Sequence, residues 1–174
     1  MTGLIREYNG VSPKIHESAF IAETAAIIGD VEIGPGSSIW YGVVIRGDMN
    51  YIRIGANSNI QDGTVIHVDS EGSHSTGRPT LIGDNVTVGH RAMLHACTLE
   101  DHCFVGMSAT LLDGAVVESG AMVAAGALVT PGKRVLKGQL WGGTPAKYMR
   151  DLRAQELAAF DYVTEHYKTV SGKY

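Results

Sequence analysis

Three histidines carry the first chemical question. His90 and His95 bracket the stretch "GHRAMLH", and His67 closes "NIQDGTVIH". Imidazole is the commonest metal ligand and also the usual proton acceptor near neutral pH, so the set is open to three readings. It could hold a divalent metal with a coordination position left for water, supply a general base, or occupy ordinary polar positions of a repetitive fold. Arg46 and Asp48 in "IRGD" and the adjacent Gln61 and Asp62 place further polar groups close by in sequence. His16, His102 and His166 have no comparable neighbours and read as structural, as does His74 in a polar loop.

The elements that position these residues follow from an internal repeat of six. Aliphatic residues recur at Ile15, Ile21, Ile27, Ile33, Ile39 and Ile45, then, after three extra residues, at Ile54, Ile60 and Ile66. Beyond a longer interruption come Ile82, Val88 and Leu94, a slip of one residue, and then Leu99, Val105, Leu111, Val117, Val123 and Val129. Small residues such as Ala25, Ser37, Ser58, Thr64, Ala92, Ala109 and Ala127 sit four places after these. Six residues suit a short strand plus a corner, so the chain should wind as a three-sided prism of about six coils, about 29 Å tall at strand spacing. The pattern resembles the hexapeptide-repeat proteins from Ile15 to Val135, and that resemblance implies an all-β fold, a left-handed parallel β-helix.

Assigning Ile15, Ile21 and Ile27 to sides A, B and C gives every rung an address. Ile45, Ile66 and Leu94 fall on side C of successive coils, so Arg46, His67 and His95 should stack in one outward column. His67 and His95 would then be about 4.8 Å apart along the prism, a spacing that suits two ligands of one ion. Asp62 and His90 occupy equivalent places on side B. If side B of one subunit faces side C of the next, His90 supplies a third ligand, and three such contacts close a homotrimer with metal sites between subunits.

After the last rung the pattern changes. Leu152, Leu157, Phe160, Val163 and Tyr167 follow at helical spacing, with Pro145 placed in a first helical turn, which predicts a C-terminal α-helix over about 151–169 packed on the prism. The expected organisation is a β-helix domain over 1–140 and a C-terminal segment with its helix over 141–174. At 174 residues, 44% hydrophobic, the chain suits one domain. A net charge of −4 without a Lys/Arg run argues against nucleic acid, and no apolar run reaches membrane-spanning length. The start of the chain does not read as a secretory signal, so the expected location is cytoplasmic. Cys97 and Cys103 read as reduced structural thiols.

"IRGDMNYIRIGANSNIQDGTVIH" followed by "GHRAMLH" is similar to the γ-class carbonic anhydrases. The resemblance implies that His67, His90 and His95 bind Zn2+ or Fe2+, with one ligand contributed across a trimer interface. It implies reversible hydration of carbon dioxide to bicarbonate by a metal-bound hydroxide. Arg46 and Asp48 would form an interface ion pair, Gln61 and Asp62 would lie near the bound water, and Tyr162 would approach the metal from the helix. The acidic insertion that aids proton transfer in the archaeal type is absent here, leaving Glu71 or His74 as the local titratable groups. Hexapeptide-repeat acyltransferases share the prism and a segment like "GTPAK", Gly143 to Lys147, so action on an acyl-coenzyme A, as acyltransferase or thioesterase, is an alternative. A non-catalytic metal-binding trimeric subunit is another.

Overall fold

The computed structural model describes residues 3–72 and 75–174, so His74 lies outside the described residues. Short parallel strands stack into a three-sided solenoid. On side A the register runs Ile15 to Ile33, Ile54, Ile82, Leu99, Val117 and Val135. Side B aligns Ile21, Ile39, Ile60, Val88, Val105, Val123 and Trp141. Side C aligns Ile27, Ile45, Ile66, Leu94, Leu111 and Val129. Three further rungs extend the column beyond the aliphatic series: Ile5 pairs with Ile27 at one end, and Val135 and Trp141 follow on sides A and B at the other.

Packing explains why this periodicity folds this way. Away from the two ends each inward rung is buried against the rung above and the rung below, with Ile45, Ile66 and Leu94 wholly enclosed. Each such side chain contributes about 1.5–3 kcal/mol relative to exposure. The small residues Ala25, Thr64, Ala92 and Ala109 are buried with them and let the three walls approach. Corners need left-handed backbone, and His102 takes one at φ 56°. Histidine is among the residues that tolerate that region, and its ring meets Asp161 at 3.7 Å and Asn85 at 3.5 Å. His102 is thus a corner residue.

The interruptions leave the count of sides intact. Asp69–Gly72 and Ser75–Arg78 pair antiparallel outside the stack of rungs, and Ile82 re-enters in register with Ile54. The one-residue slip is absorbed at the corner after His95, where Ala96 adopts φ 49°.

The C-terminal segment differs from expectation in detail. Pro145 does not open a helix; it lies in the turn between strands Gln139–Gly142 and Lys147–Asp151, which pair antiparallel. There the backbone is already committed to the sheet, with Ala146 N–H donating to Leu128 O at 2.7 Å. The helix spans Ala154–Ser171. Arg150 grips Glu156 with two hydrogen bonds of 2.7 Å, and Glu156 accepts the Arg153 backbone N–H at 2.8 Å, which fixes the first turn. Phe160 is buried and stacks on Phe104 of side B, while Tyr167 packs edge-on against Trp40. Leu157, expected in the apolar stripe, is instead exposed, and Thr164 is buried in the stripe with its hydroxyl donating to Phe160 O at 3.0 Å. Among the described residues no helix is long and apolar enough to cross a membrane.

Candidate metal centre

His67 and His95 end the short strands Val65–His67 and Met93–His95 and are direct register partners on side C. Because Ile66 and Leu94 point inward, the next residue of each strand must point outward, so the two imidazoles emerge side by side. His67 Nδ1 lies 3.3 Å from His95 Nε2. The remaining nitrogens are turned away from each other: His67 Nε2 is 2.9 Å from Asp48 Oδ1, and His95 Nδ1 is 2.6 Å from Asp113 Oδ1. A carboxylate accepts a proton-bearing nitrogen, so this pairing leaves two lone pairs facing one another. Two nitrogens bound tetrahedrally to one zinc ion at about 2.0–2.1 Å would stand about 3.3 Å apart. The donor set and its spacing fit a divalent cation.

Arg46 pairs with Asp48, extending the chain of contacts to Arg46–Asp48–His67–His95–Asp113 along the prism. Burial by itself would raise the Asp48 pKa, but hydrogen bonds from His67 and Arg46, with the Arg46 charge, outweigh it and hold the carboxyl below the usual range.

His90 lies on side B. Gly89 precedes it and lets the backbone pass close to the next coil, where a Cβ would meet Met107 N at 2.7 Å. Its Nδ1 is 2.9 Å from Asp62 Oδ2, and its Nε2 is 3.4 Å from the Tyr167 hydroxyl. Gln61 is buried, and its Nε2 donates to Asn59 Oδ1, whose own amide donates to Thr87 Oγ1. Beside these groups is a cavity of about 380 Å³ lined by Gln61, His90, Phe104, Met122, Val163 and Tyr167. Within one chain the structure therefore brings together Arg46, Asp48, His67 and His95 on one side, and Gln61, Asp62 and His90 on another. Among the described residues no three His, Cys, Asp or Glu side chains of one chain form a metal cage.

Tyr162 is 72% exposed and stacks on His166, making no polar contact with the three histidines in this chain. Two residues at the site escaped sequence reasoning. In the sequence Tyr167 is only the last member of an apolar stripe. Asp113 was legible in principle, since it stands two residues after Leu111, the rung that follows Leu94 in the same column.

Comparison with known proteins places these features in a class. The family "Bacterial transferase hexapeptide (six repeats)" matches residues 12–47, and "Hexapeptide repeat of succinyl-transferase" matches residues 97–131. A solved hexapeptide transferase family protein from Anaplasma phagocytophilum is 46% identical, with TM-score 0.92 over 100% of this chain and 99% of that one. The molecule is a hexapeptide-repeat β-solenoid. Gamma carbonic anhydrase 2, mitochondrial, of Arabidopsis thaliana is 54% identical over 90% of this chain and 56% of its own length. The carbonic anhydrase of Geobacillus kaustophilus is 42% identical over 94% of this chain and 87% of its own. The chain spans only 56–62% of the length of the plant relatives it matches. It belongs to the γ-carbonic anhydrase family.

Proposed function

We propose that the protein is a metal-dependent carbonic anhydrase that converts carbon dioxide and water reversibly to bicarbonate and a proton, working as a homotrimer. His67 and His95 of one subunit and His90 of the next would hold Zn2+ or Fe2+. The observation that carries this reading is the 3.3 Å opposition of His67 Nδ1 and His95 Nε2, each with its other nitrogen engaged by a carboxylate. A divalent metal bound there would supply a Lewis acid able to bring the pKa of water down to about 7.

The chain's own groups have distinct parts. Asp48 orients His67 and is charge-balanced by Arg46, so the imidazole keeps its Nδ1 free. Asp62 does the same for His90 through Nδ1, and Nε2, 3.4 Å from the Tyr167 hydroxyl, would take a ligand role by exchanging that contact for the metal. Gln61, fixed through Asn59 and Thr87, presents its remaining amide groups beside His90, where a polar substrate oxygen can be oriented. The apolar walls of Phe104, Met122 and Val163 suit a small non-polar gas.

The deciding experiment is metal analysis of aerobically and anaerobically prepared protein together with carbon dioxide hydration kinetics for wild type and His90→Ala. About one metal per subunit and chelator-sensitive hydration, both lost in His90→Ala, support the proposal. Metal retained in His90→Ala would sink the interface site, and metal without hydration would leave a binding subunit only. Acyl transfer, the activity suggested by the hexapeptide transferase likeness, would instead survive chelator.

A further inference from the structure

Aspartates recur at one corner position of this prism, two residues after an inward rung, and they do two different things. Asp84 and Asp101, which follow Ile82 and Leu99, serve the backbone. Asp84 Oδ1 accepts the Ala56 N–H at 2.6 Å, and Asp101 Oδ1 accepts the Asp84 N–H at 2.8 Å, each tying its corner to the preceding coil. Asp113, two residues after Leu111, meets a corner where the matching N–H, that of Ala96, already donates to His67 O at 3.2 Å. Among the described residues its carboxylate makes one hydrogen bond, the 2.6 Å contact with His95 Nδ1. Its backbone is satisfied separately, with Gly132 N–H donating to its carbonyl at 2.9 Å. The corner therefore does not need this carboxylate for its own geometry.

We infer that Asp113 is a positioning residue that holds His95 with the proton on Nδ1 and a bare Nε2 aimed at His67. Neutral imidazole carries one N–H, and an ionised carboxylate at 2.6 Å accepts it, which settles the tautomer and the ring plane together. Rotation of the ring by half a turn would put a carbon against Asp113 and leave Nε2 pointing away from His67. Asp48 performs the matching task for His67 from the opposite end of the column. The importance of Asp113 for metal binding rests on His67 and His95 being a ligand pair, whereas its effect on the tautomer does not.

Two measurements separate these. In the metal-free wild-type protein, nitrogen-15 NMR of the His95 ring is expected to show Nδ1 protonated. A ring protonated on Nε2 alone would overturn the inference. Zinc affinity, measured by competition with a chromophoric chelator, is expected to fall about 10–100-fold in Asp113→Ala and to recover in part in Asp113→Glu. The metal-free melting temperature should stay unchanged, because the corner hydrogen bonds remain. Unchanged zinc affinity in a folded Asp113→Ala protein would likewise overturn it. If wild type binds no zinc yet shows the Nδ1 proton, the role of Asp113 stands and the metal-dependent reading falls.

Discussion

Asp62 stands one coil from His90 on side B, and its Oδ2 lies 2.9 Å from His90 Nδ1. The same relation joins Asp48 to His67 and Asp113 to His95. Removing Asp62 should therefore act through His90. Asp62→Ala is expected to weaken zinc affinity about 10–100-fold with little change in melting temperature, checked by chelator competition and calorimetry.

If the centre is shared, two dead variants should repair each other. His67→Ala and His90→Ala homotrimers each lack a ligand at every interface. Trimers re-formed from an equal mixture should recover about one quarter of wild-type hydration, since one interface pairing in four restores all three histidines. No recovery after verified subunit mixing would refute sites between subunits.

Cys97 and Cys103 are both buried and free. Burial pushes the Cys97 thiol up to about 12 and raises Cys103 as well. Neither should react with Ellman's reagent at pH 8 in the native protein, while both should react in denaturant.

The helix start should loosen in acid. Hydrogen bonds from Arg150 and from the Arg153 backbone lower the Glu156 carboxyl from 4.5 to about 2 in the folded chain. A group depressed on folding stabilises fully above its unfolded pKa, and this contribution fades as pH falls from about 4.5 through about 2. Hydrogen-exchange protection at 154–158, measured against the intrinsic rate at each pH, should fall over that range, and Glu156→Gln should flatten the response.

Core truncation on side C should cost stability and disturb the column outside it. Ile66 is enclosed between Ile45 and Leu94 and immediately precedes His67. Ile66→Ala is expected to lose about 2–5 kcal/mol in denaturant unfolding.

The inward rungs were legible because each of them is a forced choice: an aliphatic side chain every sixth residue leaves one register, and the pairing of Ile82 with Ile54 shows that even the long insert respects it. The column of His67 and His95 followed from the same count. What composition and spacing did not reveal were contacts made by side-chain reach. Tyr167 belongs to the apolar stripe, and only packing of the helix on Trp40 brings its hydroxyl to His90. The strand Lys147–Asp151 was hidden because its pairing with Gln139–Gly142 is antiparallel and carries no hexad, while Pro145 suggested a helix start. Asp113 stands at the same place after its rung as Asp84 and Asp101, and only its 2.6 Å contact with His95 Nδ1 sets it apart.

A perfect prism has no address: every coil is a copy of its neighbours, and nothing marks one level as different from the next. Here the three departures from six follow Ile45, Ile66 and Leu94, three consecutive rungs of a single wall. The residues set at those faults are Arg46, His67 and His95. Lengthening or shortening the chain elsewhere would merely add or remove floors, but at these levels it would change the distance between the groups that meet. The irregularities thus act as coordinates, giving a self-similar scaffold one height at which chemistry can be located.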